Sequence, residues 1–196
     1  MRAFTASRSD ADSDELWLVE HAPVYTAGTA ARAEHFPRSN EPESIHAGIP
    51  LERIDRGGQI TYHGPGQAVI YTMIDLARRK LTVRGLVTIL EQAVIDTLAA
   101  HAVVAVRRPK APGVYVGDAK IAALGLRVSR GCSYHGLAIN CEMDLRPYAS
   151  IDPCGFPGLA VTQTNNLGIA LEWEALGLIC AERIVALTRL GTSLRP

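Results

Sequence analysis

Antiparallel strands joined by tight turns, together with two separate amphipathic helices, predict an α+β fold for this chain of 196 residues. The clearest sign is a meander. Val114–Val116, the turn pair Gly117-Asp118, a long strand Ala119–Val128, the turn Ser129-Arg130-Gly131 and a third strand Cys132–Cys141 follow one another directly. The helices show as two stripes. Val83, Leu86, Val87, Leu90, Val94 and Leu98 recur at helical spacing behind Thr82, a suitable N-cap, with an expected end near Ala100. Trp173, Leu176, Cys180, Ile184 and Leu187 mark a last helix over Trp173–Leu190. The length fits one domain over residues 1–196, and no repeat, low-complexity tract or linker divides it.

Ahead of the meander, Leu16–Val19 reads as a strand that continues around Pro23 into Val24 and Tyr25. From Thr29 to Pro50 the chain is polar, contains proline and has no clean period, which predicts a surface excursion suited to act as a lid. Gln67–Leu76 predicts a strand buried on at least one side, and Val103–Val106 another.

Lys and Arg number 20 and so do Asp and Glu, so overall charge predicts no attraction to nucleic acid or to an anionic membrane. The start lacks the apolar run of a secretory signal and no stretch approaches a membrane span, which predicts a cytoplasmic protein. Cys132, Cys141, Cys154 and Cys180 contain no C-x-x-C pair and are expected as free thiols. His21, His35, His46 and His101 show no ligand spacing, so no metal site is predicted.

Cys154 stands apart from the other thiols. Cys141 and Cys180 continue apolar patterns, whereas Asp152-Pro153-Cys154-Gly155-Phe156-Pro157-Gly158 is made of turn formers that hold a thiol still and leave it open. It is either a presented nucleophile or an inert packed thiol. Strand alternation puts Lys120 on one face with Ala122, Leu124, Leu126 and Val128, so Lys120 is expected to be partly buried. There it either exchanges a proton with a nearby thiol or snorkels from a strand end. Arg56–Gln67, RGGQITYHGPGQ, has glycines that open main-chain N–H groups to a ligand, yet lacks the Gly-Lys-Ser/Thr ending of a phosphate loop. The alternative is a pair of turns around a short strand. His63 and His135 each sit in a Tyr-His-Gly step, able to present a neutral ring to a cleft or to bond structurally.

The motifs RGGQITYHGPGQ, APGVYVGDAKIAALGLRVSRGCSYHGLAIN and DPCGFPG, in this order, closely resemble the octanoyltransferases of lipoate biosynthesis, from about Leu16 to the Cys154 loop. The resemblance implies a mixed, largely antiparallel sheet flanked by helices, related to biotin and lipoate protein ligases. It makes Cys154 the acyl-thioester nucleophile and Lys120 the residue that lowers its pKa. It assigns Arg56, Gly57, Gly58, Gln59, Ile60, Thr61, Tyr62 and His63, with Ala123, Leu124, Gly125, His135, Gly136, Leu137 and Ala138, to the octanoyl pocket. The family usually begins with a further strand and helix before the segment matching Leu16, which sets this start apart and leaves the sheet edge in question. Asp152, Phe156-Pro157 and Cys141 also depart from the usual residues, and none touches the dyad.

By the same resemblance the donor is octanoyl-acyl carrier protein and the acceptors are lysines of lipoyl domains of 2-oxoacid dehydrogenases and of the glycine cleavage H protein. The enzyme is expected to act as a monomer without a cofactor. A thioester donor is already activated, so no ATP is needed. Backbone N–H groups near the Cys loop or the His135-Gly136 turn would support the oxyanion, and Lys120 or His135 would take the amine proton. The basic clusters Arg78-Arg79-Lys80 and Arg107-Arg108-Pro109-Lys110 are either docking patches for acidic partners or solvated surface. The rival readings are an ATP-dependent lipoate or biotin ligase, a non-catalytic acyl-chain-binding module and a Cys-dependent thioesterase.

Overall fold

A computed structural model of the chain describes residues 1–9, 11–32, 35, 45–46, 48–153 and 158–189. Cys154 therefore lies outside the described residues, as does most of the expected lid. The strands are β1 (Glu15–Val19), β2 (Val24–Ala27), β3 (Ile45–His46), β4 (Ile49–Arg53), β5 (Ile60–His63), β6 (Gln67–Met73), β7 (Val106–Arg108), β8 (Ala111–Val116), β9 (Ala119–Ser129) and β10 (Cys132–Asn140). The helices are α1 (Arg2–Ser7), α2 (Val83–Ala99) and α3 (Trp173–Arg189).

A six-stranded sheet in the order β1-β6-β10-β9-β8-β7 is antiparallel throughout. A four-stranded sheet, β3-β4-β2-β5, is mixed because β2 runs parallel to β4. The meander forms as expected. Thr82 caps α2, its Oγ1 accepting from Gly85 N at 2.9 Å, a bond typically worth about 1 kcal/mol. The apolar stripes of α2 and α3 meet Ala68, Ile70, Ile121, Ala122, Leu137 and Ile139 in one aliphatic core. Tyr25, Tyr62, Met143, Tyr148 and Ile151 form a second, aromatic core behind the smaller sheet.

Several expectations are corrected. Leu16–Val19 and Val24-Tyr25 are not one strand continued around Pro23: β1 and β2 belong to different sheets. The strand expected at Val103–Val106 begins only at Val106, since Val104 is exposed and pairs with nothing in the ladders. The end of the polar excursion is ordered, because β4 pairs with β2. The face of Lys120 is reversed as well. Pairing between β8 and β9 shifts from Val114↔Ala122 to Tyr115↔Lys120, so β9 carries one extra residue there. That bulge lets Ile121 and Ala122 both enter the helix-side core and turns Lys120 to the opposite face, with Tyr115.

Candidate active site

Between the two sheets lies a cavity of about 450 Å³. Its sheet wall is cut low by small residues in register: Ala123 opposite Ala138 and Gly125 opposite Gly136, with Val69 and Tyr71 alongside on β6. Small side chains at four neighbouring positions leave a trough an extended apolar group can fill. Gly136 has to be glycine. A Cβ there would strike Ile70 O on the next strand. The opposite wall comes from β2 and β5 through Val24, Thr26, Ile60, Thr61 and His63.

Arg56 clips the glycine-rich loop in place. It is buried, and its guanidinium donates to Thr26 O at 2.5 Å, Thr26 Oγ1 at 3.0 Å and Gly57 O at 3.0 Å. Gly57 N then donates to Leu126 O at 2.9 Å, which closes the loop onto β9. Of the residues assigned to the pocket, Arg56, Gly58, Gln59, Ile60, Thr61, His63, Ala123, Leu124, Gly125, His135, Gly136, Leu137 and Ala138 line this cavity. Gly57 and Tyr62 do not. The Tyr62 ring packs between Tyr25 and Tyr148, because alternation along β5 turns it to the aromatic core.

His135 does not sit at a turn. It lies within β10 opposite Leu126, with a left-handed φ of 62°, a conformation that non-glycine residues adopt at a cost. This kink swings the Tyr134 and His135 rings to the same side, stacked with centroids 5.1 Å apart. Both reach Asp55: Tyr134 Oη donates to Oδ2 at 2.6 Å, and His135 Nε2 lies 2.8 Å from Oδ1. Burial pushes the Asp55 carboxyl up, but hydrogen bonds from Tyr134, His135 and Arg2 outweigh it and hold the group well below the usual carboxylate range. An ionised carboxylate only accepts, so His135 carries its proton on Nε2.

Burial also pushes the imidazoles of His21 and His135 down, and it takes His63 to about 3 despite the opposing bond between His63 Nδ1 and Gln67 Oε1, 2.7 Å. His21 bonds Tyr71 Oη at 2.6 Å. The cavity is thus edged by neutral rings. His21, Tyr71 and Asp55 were not assigned to the pocket from sequence. The one available signal was the position of Asp55 directly before Arg56 in the glycine-rich motif.

Lys120 sits at the other end of the trough and is only 3% exposed. Its Nζ donates to Pro112 O at 2.9 Å and stands 5.3 Å from the Tyr115 ring centroid. Its main chain is tied to the segment beyond the Cys loop: Lys120 N donates to Ala160 O at 2.8 Å, and Thr162 N donates to Lys120 O at 3.0 Å. Pro153, immediately before Cys154, lines a small cavity with Lys120, Thr61, Ala123 and Asn140. Cys132, Cys141 and Cys180 are free and buried, and burial pushes Cys141 up to about 11 and Cys180 to about 12. Neither of these two is a nucleophile near neutral pH. The basic clusters are largely paired within the chain: Arg78 and Arg79 with Asp14, Arg107 with Glu91, Arg108 with Asp118. Among the described residues no group of three His, Cys, Asp or Glu could hold a metal ion, and no helix is long and apolar enough to cross a membrane.

The profile of the lipoyl protein ligase A/B catalytic domain matches residues 1–170. The chain belongs to this family. Within the lipoyl protein ligase A/B family it is 58% identical over 177 residues to the octanoyltransferase of Dechloromonas aromatica, covering 90% of this chain and 83% of the relative. It is 60% identical over 174 residues to that of Thiobacillus denitrificans, covering 89% and 76%. The bipartite lipoate protein ligase of Thermoplasma acidophilum shares the fold with a TM-score of 0.75 at 15% identity, over 96% of this chain and 76% of that one. Biotin protein ligase of Aquifex aeolicus aligns with a TM-score of 0.53 at 15% identity, over 64% and 54%. The expected α+β fold, its kinship with these ligases and octanoyl transfer in protein lipoylation are borne out by these matches.

Proposed function

We propose that the octanoyl group passes from octanoyl-acyl carrier protein to Cys154 as a thioester and then to a lipoyl-domain lysine, with Lys120 supporting the thiolate. The observation that carries this reading is the binding of the Lys120 main chain to Ala160 and Thr162, just past the Cys loop, while Pro153 before it borders the same small cavity. In the first step the Cys154 thiolate attacks the thioester carbonyl, and the carrier sulfur leaves as a thiol with a proton from the Lys120 ammonium, which becomes a neutral amine. In the second, the acceptor amine attacks the acyl-enzyme, an amide forms and the Cys154 sulfur departs. Lys120, rather than His135, takes the amine proton. His135 stands opposite Leu126, six residues along β9 from Lys120, and donates its Nε2 proton to Asp55. The trough of Ala123, Gly125, Gly136 and Ala138 takes the octanoyl chain.

Intact-protein mass spectrometry after mixing with octanoyl-carrier protein, in nucleotide-free buffer with a chelator, tests this. One octanoyl mass, labile to hydroxylamine and absent from Cys154→Ala, is expected, followed by transfer to a lipoyl domain. Strict dependence on ATP and magnesium would move the chain to the ligases. Release of free octanoate alone would make it a thioesterase, and bound octanoate without a covalent adduct a binding module.

A further inference from the structure

The Pro112–Gly113 peptide takes no part in the ladders on either side of it. Pairing of β7 with β8 jumps from Arg107↔Val114 to Arg108↔Ala111, and pairing of β8 with β9 covers Val114 to Val116. The peptide's two polar atoms point instead to opposite faces of the sheet. Gly113 N donates to Glu91 Oε1 at 3.0 Å, on the helix side, while Pro112 O accepts from Lys120 Nζ on the other. In a trans peptide the N–H and C=O point in opposite directions, so fixing one aims the other. Gly113 has a φ of 136°, and a Cβ there would come within 2.7 Å of both Lys120 Cε and Ala122 O. The absent side chain is what lets the lysine run beside the strand.

Glu91 is a buried carboxylate on an otherwise apolar stripe of α2, 7% exposed, and it is held in turn by Arg107 Nε at 3.1 Å. Arg107 Nη2 also donates to Gln92 Oε1 and Thr88 O, so the cation is fixed to the same helix. Packing of α2 against the sheet does not need a charge at this position, since Leu86, Leu90 and Val94 supply the apolar contact. A chain of contacts therefore runs from Arg107 through Glu91 and one peptide unit to the Lys120 ammonium.

We propose that Glu91 is a positioning residue for acyl transfer: by holding the Pro112–Gly113 peptide across the sheet it sets where Lys120 Nζ stands. The inference rests on the Cys154–Lys120 reading above. Tyr115, with Arg108 4.7 Å from its ring centroid, the Glu91–Arg107 pair, and Tyr148, which lines the same small cavity, are titratable or charged groups described around this lysine. The sign of the response separates positioning from a bystander charge. Removing a nearby anion by itself favours the thiolate and lowers a thiol's pKa, whereas displacing the ammonium raises it.

The test follows iodoacetamide alkylation of Cys154 against pH, read at that residue by peptide mass spectrometry, in wild type, E91A, E91Q, K120A and E91A/K120A. In E91A the midpoint should rise by about 0.5–1 pH unit. E91Q, whose amide oxygen still accepts from Gly113 N, should rise less, and the double variant no further than K120A. Octanoyl transfer by E91A should show kcat lower by about tenfold with KM for the carrier unchanged. A raised midpoint in K120A with an unmoved or lowered one in E91A overturns the role of Glu91 alone. An unmoved midpoint in K120A overturns the dyad and this proposal with it. If E91A does not fold, E91L, which fills the same space without an acceptor for Gly113 N, decides in the same way: a rise supports the proposal and an unmoved or lowered midpoint overturns it.

Discussion

At one end of the trough a lysine ammonium is held by main-chain atoms and an aromatic face, while at the other an aspartate is kept ionised by three side-chain donors, Tyr134, His135 and Arg2. Lys120 and Leu126, the partner of His135, are six residues apart on β9, roughly 20 Å at strand rise. The contrast lies in what each arrangement leaves available. A carbonyl orients the ammonium, and on the proposed reading the anion it supports is the Cys154 thiolate. The Asp55 carboxylate is taken up by its own donors, Arg2 among them, and the imidazoles beside it are neutral. On the proposed reading one end acts on the reacting group and the other accommodates the apolar tail.

The sharpest way to break this comparison is to remove the ammonium. Lys120→Ala should lower the rate of octanoyl transfer by about 10³-fold with the fold intact, the scale of losing an activating group. A steady-state assay beside Asp55→Asn, which should cost less than about tenfold, tests whether the two ends differ as described. Comparable losses would remove the distinction.

The trough itself is tested by Gly136→Ala. A methyl group aimed at Ile70 O forces β10 and β6 apart, and urea unfolding should show a loss of about 3 kcal/mol. An unchanged unfolding midpoint would mean that the strands can part without cost.

Acid should act through the neutral rings. The His63 imidazole falls from an ordinary 6.5 to about 3 in the folded protein, so the unfolded chain binds the extra proton first. Stability is then complete above about pH 6.5 and declines as the pH falls toward 3, by roughly 2 kcal/mol after allowance for water entry. Asp55 and Asp14, the latter lowered to about 2, act in the same direction below the usual carboxylate range. Thermal melts across this window in wild type and His63→Phe check it: the variant should show a shallower limb between pH 6.5 and 4, with His21 and His135 supplying what remains.

The smallest effect is expected for Asp55→Asn on stability, about 1 kcal/mol, because Asp55 keeps some exposure and an amide can still accept from one donor. The His135 imidazole should titrate lower still, since Asp55 now raises it against burial, and NMR titration of the ring reads that directly.

Local patterns carried much of this molecule. The meander was legible because its turns fall between alternating strands, and α2 and α3 because their apolar residues repeat at 3.6. The motifs around Arg56, Lys120 and Cys154 pointed to acyl chemistry through their resemblance to the octanoyltransferases, since a thiol between proline and glycine and a lysine inside an apolar strand each left a packing role open. Other features were beyond any local pattern. The split of β1 and β2 between two sheets depends on β4 running parallel to β2, a long-range pairing with no trace in the intervening residues. The face of Lys120 was read wrongly because alternation assumes an unbroken ladder, and the bulge at Val114/Tyr115 arises only where β8 and β9 meet. Asp55, His21 and Tyr71 stand far apart in sequence or beside stronger signals; His21 and Tyr71 line one cavity, and Asp55 bonds the His135 that lines it, only because β6, β10 and the glycine-rich loop converge there. Glu91 looks like one more charged residue on a helix until the Pro112–Gly113 peptide turns out of its ladder to meet it. Sequence determined which residues could do chemistry, because chemistry resides in side-chain types and their local setting. Tertiary structure decided which of them face one another, because strand pairing, bulges and peptide orientation are settled by partners distant along the chain.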